Sequence, residues 1–330
     1  MSTVDDRPDL SLGEFLPVTE SAAIASGRWL GRGDNNSADQ AAVDAMRREF
    51  SKLNISGRVV IGEGEKDKAP QLYNGEEVGA GGMAVDIGVD PLEGTDLVSR
   101  GDEGAIAICV IAERGGILSA PDMYMRKLCV GATAKGKIDI TAPIAETMGA
   151  VAESYGREVQ DITAIVLDRP RHEQLIAEIR ETGARIRLIP DGDITASMSA
   201  AVRGTGDHVY IGSGGSTEGV ITAAALECLG GEIQAQFAPN NAAQIAELAK
   251  FGVTDLDKVL STTDLASAPL YVIATGVTDG NLLRGVRYFA GGARTHSIAL
   301  NLRRGTIRFI DTVHLLDGKP AHEIRLSGVA

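Results

Sequence analysis

The sequence predicts an α/β protein, α+β in its first half and regularly alternating α/β in its second. Three observations carry this. From about residue 156 onward, short apolar runs alternate with helical stretches, which is the grammar of strand–helix units. Before that point strands predominate without regular alternation. The chain has 330 residues, long for one domain, and 44 % apolar residues, enough for a large core. The expected division is residues 1–155 and residues 156–330, with the boundary near Tyr155-Gly156.

The elements follow in order. PVTESAAIASGRWL (17–30) reads as a helix with Thr19 as a candidate cap. Ser37-Ala38-Asp39-Gln40 has capping-box spacing. Val43, Met46, Phe50 and Leu53 then recur at steps of three and four, the mark of an amphipathic helix. Arg58 to Ile61 reads as a strand running into Gly62-Glu63-Gly64-Glu65. Residues 66–84 are rich in glycine and charge and read as loop or hairpin. Strands are expected at about 85–90, 105–113 and 127–134. In the second half ITAIVLD (162–168) precedes a helix carrying Leu175, Ile176 and Ile179 and stopped by Gly183. IRLIP (186–190) precedes a helix from about Ile194, and HVYIGS (208–213) precedes TEGVITAAALECL. A strand-rich stretch, about 268–317, closes the fold.

Charge and cysteine content exclude some functions. The net charge is −13, from 32 basic and 45 acidic residues, which disfavours nucleic acid and anionic membranes as partners. No apolar run reaches the length of a membrane span. The acidic start MSTVDDRPDLSLGEF lacks a signal-peptide layout. Cys109, Cys129 and Cys228 stand far apart with no CxxC spacing, as expected of free thiols in a reducing compartment. A cytoplasmic protein is expected.

The chemistry concentrates in a few short stretches. VDIGVDPLEGTD (85–96) alternates like a strand, then bends at Pro91 and Gly94. That bend can bring Asp90 and Glu93 together as hard oxygen donors suited to Mg²⁺ or Mn²⁺. An acidic turn in which Asp90 caps a helix is the competing reading. Glu63 sits between two glycines at a strand end, as a ligand or as a polar hairpin tip. Asp39 lies near a helix N-terminus, where an acid is favoured in any case. GSGGSTEG (212–219) is a glycine-rich entry to a helix whose first turn holds Glu218, a place for phosphate oxygens or merely a capped loop. It does not complete a GxGxxG dinucleotide pattern. RPRHE (169–173) offers Arg169 and Arg171 after a strand, as a phosphate grip or a solvated basic face. PDGDIT (190–195) resembles the DxDxT signature of phosphatases with a covalent aspartate, which would make Asp191 a nucleophile. That motif normally opens its domain, and its downstream lysine and paired aspartates are not evident here.

Taken together, DPLEGT is similar to the signature of the lithium-sensitive, metal-dependent sugar phosphatases. GRGDNNSADQAAVDAMR, IGEGEKDKAP, APDMYMRKL, RPRHE, IPDGD and GGSTEG resemble one branch of them in order, from about residue 17 to 326. That branch is the class II fructose-1,6-bisphosphatases, including the dual fructose/sedoheptulose bisphosphatases. The resemblance implies a layered α-β-α-β-α fold, with metal binding in residues 1–155 and sugar-phosphate binding in residues 156–330. It implies two or more divalent ions, Mg²⁺ or Mn²⁺, one held by Asp39 and Glu63 and another by Asp90, Glu93 and Glu218. It implies substrate contacts from Glu93, Gly94, Thr95, Tyr124, Arg169, Pro170, Arg171, Asp191, Gly192, Asp193 and Gly215. On this reading Asp191 and Asp193 grip sugar hydroxyls without a covalent step. Thr95 orients the attacking water or relays its proton, assisted by Glu63, Glu65 or the metal. Glu93 is a departure, since relatives outside the branch carry Asp there. The implied reaction is hydrolysis of the C1 phosphate of fructose 1,6-bisphosphate, and of sedoheptulose 1,7-bisphosphate, in a homodimer or homotetramer. An inositol-type or nucleotide phosphatase of the same fold is the alternative, disfavoured by PDGD and RPRH. A catalytically dead sugar-phosphate sensor is a third reading, disfavoured by the full set of acidic ligands together with Thr95.

Overall fold

A computed structural model of the protein describes residues 12–63 and 72–315. In chain order the helices are α1 (Leu12–Gly27), α2 (Asn35–Phe50), α3 (Thr95–Arg100), α4 (Ile144–Tyr155), α5 (Glu173–Glu181), α6 (Asp193–Ala201), α7 (Ser216–Leu229), α8 (Ala242–Lys250) and α9 (Thr262–Leu265). The strands of the first half are β1 (Ile55–Ile61), β2 (Glu77–Val78), β3 (Met83–Glu93), β4 (Ile106–Glu113) and β5 (Tyr124–Val130). They continue with β6 (Thr163–Leu167), β7 (Arg185–Ile189), β8 (Val209–Gly215), β9 (Glu232–Phe237), β10 (Pro269–Gly276), β11 (Arg287–Phe289), β12 (Gly292–Asn301) and β13 (Thr306–Leu315).

Two mixed sheets organise these elements. The first runs β11-β12-β10-β4-β3-β1-β2, with β13 added on β12. The second runs β7-β6-β8-β5-β9. The sheets interleave in sequence. β5 joins the second sheet before residue 155, and β10 to β13 return to the first after residue 268.

Three apolar cores stack the layers. Phe15, Val18 and Ala22 of α1 and Val43, Met46 and Phe50 of α2 cover one face of the first sheet. Ile194, Met198, Val220 and Ala224 of α6 and α7 fill the space between the sheets. Met148 and Val151 of α4 with Ile176 and Ile179 of α5 cover the outer face of the second. The result is helix, sheet, helix, sheet, helix, the α/β layering expected of the sequence. Burial of these side chains at about 25 cal/mol per Å² of apolar area is the main driving term.

Local details differ from expectation in three places. Thr19 is not a cap but lies within α1, where its hydroxyl meets that of Thr275 at 2.8 Å. Burial of Phe15 and Val18 against the sheet extends that helix toward the N-terminus beyond the expected start. The cap of α2 is Asp34, whose carboxylate accepts the Ser37 N–H at 3.0 Å, so Ser37 is inside the helix. The strand expected at 127–134 starts at Tyr124 and ends at Val130, because its register is set by β8 and β9.

Candidate active site

The site lies where the ends of several elements meet between the two sheets. β1 and β3 are parallel neighbours, so their C-terminal ends lie side by side. Openings beyond such strand ends are common ligand sites in α/β proteins. On β3, Asp90 pairs with Ile108 and Glu93 with Ile106, so three steps on one strand match two on the other. One extra residue makes a bulge, and a bulge resets the side-to-side alternation. That is how Asp90 and Glu93, of opposite parity, both reach one cavity. Pro91 removes the ladder donor at the bulge. Gly94 then turns the chain into α3 with φ +83°, a left-handed conformation that a side chain would strain. Thr95 is the first residue of α3, and its hydroxyl donates to Leu92 O at 3.1 Å.

The cavity holds about 290 Å³. Asp39 from α2, Glu63 after β1, Asp90, Glu93, Gly94 and Thr95 line one side. Asp122, Asp191, Thr217 and Glu218 line the other. No lysine, arginine or histidine lines it among the described residues. The carboxyls are therefore hard to ionise together. Burial raises Asp39 above its ordinary value. Burial first, then the charges of Asp90, Asp39 and Glu218, pushes Glu63 well up. Glu93 is pushed well up by burial and then by Asp90 and Asp193. Asp90 reaches about 7, chiefly through burial. Burial also raises Glu218, with Lys127 pulling the other way.

Such a donor set suits a hard divalent cation, which supplies the missing positive charge. As placed, no three His, Cys, Asp or Glu side chains among the described residues converge into a closed cation cage. The fit rests on the chemistry of the donors: oxygen only, half-buried around the buried Glu93, without a basic side chain in the cavity wall.

The remaining residues expected from the sequence lie on the flank. Gly192, at φ +89°, caps α6 and lines a small adjoining cavity with Asp191 and Gly104. Asp193 turns inward, with Oδ2 at 2.7 Å from the Lys127 ammonium and at 3.3 Å from the Tyr210 hydroxyl. Tyr124 on β5 and Gly215 on β8 are register partners. The Arg171 guanidinium sits 4.7 Å from the Tyr124 ring centroid and donates to Ser213 O at 2.8 and 3.1 Å. Arg169 faces Asp191 closely enough to ease its ionisation, although burial leaves Asp191 raised. Pro170 opens the short turn that ends at His172. Glu65, the alternative partner for Thr95, lies outside the described residues.

Sequence reading did not single out Asp122, Thr217, Lys127 or the structural use of His172. Ser213 N–H donates to His172 Nε2 at 2.8 Å, while Nδ1 lies 2.8 Å from Leu167 O. That pair of contacts sets a neutral imidazole with its proton on Nδ1. It also fixes the Ser213 carbonyl on which Arg171 rests. Lys127 carried a signal: it shares one face of YMRKLCV with Met125 and Cys129, where a charge interrupts apolar positions.

Comparison with known proteins decides the family. A family described as "Bacterial fructose-1,6-bisphosphatase, glpX-encoded" matches residues 9–314. The chain belongs to this family. A protein of Synechococcus sp. (strain JA-2-3B'a(2-13)) is 45 % identical over 345 aligned positions, covering 96 % of this chain and 99 % of its own. It is named "D-fructose 1,6-bisphosphatase class 2/sedoheptulose 1,7-bisphosphatase". Proteins of Microcystis aeruginosa and Crocosphaera subtropica carry the same name, at 43 % and 44 % identity over 92 % of this chain and 96 % and 95 % of theirs. The family is one of metal-dependent phosphatases. Among the described residues no helix is long and apolar enough to cross a membrane.

Proposed function

We propose that the protein hydrolyses the C1 phosphate of fructose 1,6-bisphosphate, giving fructose 6-phosphate and inorganic phosphate, and that it treats sedoheptulose 1,7-bisphosphate alike. The observation that carries this is the meeting of Asp39, Glu63, Asp90, Glu93, Glu218 and Thr95 in one cavity of a chain of this family. Asp39 and Glu63 hold one divalent ion, and Asp90, Glu93 and Glu218 another, Mg²⁺ or Mn²⁺. Bound ions supply positive charge opposite the phosphate oxygens and make a nearby water more acidic.

The chain's own residues do the rest. Thr95 Oγ1 orients the attacking water toward phosphorus. With a cation bound beside it, which favours its ionised form, the Glu63 carboxylate would be free to take the water's proton. The P–O bond to C1 breaks as the new P–O bond forms, and the C1 oxygen takes up a proton from solvent. Asp191, Gly192 and Asp193 place the sugar, with Asp193 contributing through the backbone of the turn. Arg169, Pro170 and Arg171, with Tyr124 and Gly215, hold the distal phosphate. Residues 1–155 thus bring most of the metal donors and residues 156–330 most of the sugar-phosphate contacts, with Tyr124 and Glu218 crossing over. A cytoplasmic location is consistent with three free cysteines, and assembly as a homodimer or homotetramer is checked by sedimentation.

The test is phosphate release from both bisphosphates and from inositol 1-phosphate, with Mg²⁺, Mn²⁺ or chelator. Release from the bisphosphates alone, abolished by chelator, is expected. Faster release from inositol 1-phosphate, or full activity in chelator, would overturn the reading.

A further inference from the structure

Lys127 is 1 % exposed, near the centre of β5, with its ammonium 2.7 Å from Asp193. It is not in the wall of the acidic cavity. Asp193 opens α6, and the next residue, Ile194, donates its backbone N–H to Glu93 Oε1 at 2.9 Å. The contacts thus run from the second sheet through a helix terminus to a carboxylate at the end of the first sheet. Tyr210 OH supports Asp193 at 3.3 Å, and Ser197 Oγ donates to its carbonyl at 2.8 Å. Glycine at 214 leaves room for the pair: a Cβ there would lie 2.1 Å from Asp193 Oδ2 and 3.1 Å from Lys127 Nζ.

A buried lysine is costly to desolvate, and a hydrophobic residue of similar size would often be neutral or more stable there. The cost makes sense if the pair fixes something. What it fixes is the start of α6, and so the donor that orients Glu93. Partners that orient metal ligands in this way typically control metal affinity or activity by about 10–100-fold.

We propose that Lys127 is a positioning residue: through its ion pair with Asp193 it holds the N-terminus of α6 so that Ile194 N–H keeps Glu93 aimed into the cavity. This rests on the reading of Glu93 as a metal donor. Loss of Lys127 alone would confuse two effects, because removing a nearby positive charge favours a bound cation while loss of aim disfavours it. The pair must therefore be replaced together, at constant net charge.

The test compares wild type, Lys127→Met/Asp193→Asn and Gly214→Ala. Fold is followed by circular dichroism and Mn²⁺ affinity by calorimetry on chelator-treated, dialysed protein. Gly214→Ala pushes the pair apart and changes neither charge, so it decides the matter if the double variant fails to fold. Wild type is measured first. If it binds no Mn²⁺, the metal reading itself fails, separately from this proposal. If it binds, folded variants are expected to hold Mn²⁺ about tenfold more weakly. In steady-state assays kcat falls by a similar factor and KM for the bisphosphate changes less. A folded variant that binds Mn²⁺ within twofold of wild type would overturn the positioning role.

Discussion

Strand β3 carries two aspartates four residues apart, one buried and one half-buried at the cavity, and their surroundings are opposite. Asp86 is fully buried and accepts two bonds from Arg58 at 3.0 Å, one from Arg114 Nη1 at 3.1 Å and one from Gly115 N–H at 2.7 Å. Asp90 has the Leu92 N–H at 3.0 Å and otherwise faces carboxyls. At one end of the strand the protein provides the counter-charge from its own sequence. At the other it gathers Glu63, Glu93 and Glu218 around Asp90 and provides none in the cavity wall. A buried carboxylate with a full set of donors is part of the scaffold. A set of them without a cation marks chemistry.

The largest expected effect breaks the chemical end alone. Thr95→Ala should lower kcat by about 10²–10⁴-fold with substrate still bound, as loss of a positioned proton-relay group does. Asp191→Asn should keep measurable activity with a raised KM. Rapid-quench labelling should find no phosphorylated Asp191, and finding one would restore the covalent reading. The opposite change breaks the scaffold end. Asp86→Asn should cost about 1–3 kcal/mol, since Arg58 and Arg114 are partly exposed and can turn to water. Chemical denaturation measures this, and activity per folded molecule with its metal dependence should stay unchanged.

The two ends also differ in response to pH. An unfolded aspartate ionises near ~3.9, whereas Asp90 in the fold does so at about 7. The metal-free fold therefore binds this proton more tightly than the unfolded chain does. Its contribution to stability is complete below the unfolded value and is lost as pH rises through about 7. Melting of chelator-treated protein should drop between about pH 4 and 7, the window set by those two values, and level off above it. Asp90→Asn should flatten that slope, and an unchanged slope would mean Asp90 is not the group responsible. The smallest effect lies on the flank. If Arg171 grips the distal phosphate as proposed, Arg171→Ala should raise KM several-fold with little change in kcat, because such a grip acts alike in ground and transition states.

Much of this contrast was legible in the sequence, and the rest was not for physical reasons. The acids of DPLEGT and IGEGE stood out because carboxylates beside Pro and Gly at a strand end are costly without a cation. The alternation of 162–229 marked its strands and helices, since each element there is a complete local pattern. The return of β10 to pair with β4, Cys109 opposite Ile273, leaves no local trace. Pairing across so long a separation is chosen by burial of the whole face, not by either strand. The Asp34 cap was missed because Ser37 offered the same chemistry three residues on. Asp122 was missed because one acid in a loop has no spacing to interpret. Lys127 was missed because its partner, Asp193, lies on another element and was already read as part of a sugar grip.

The most direct measurement is calorimetric titration of Mn²⁺ into chelator-treated wild type, Glu93→Gln and Asp86→Asn, with circular dichroism to confirm folding. If the carboxyls around Asp90 hold the catalytic cations, wild type and folded Asp86→Asn should bind with equal stoichiometry and affinity. Glu93→Gln should lose a site or bind at least about tenfold more weakly. A folded Glu93→Gln that binds Mn²⁺ as wild type does would contradict the assignment.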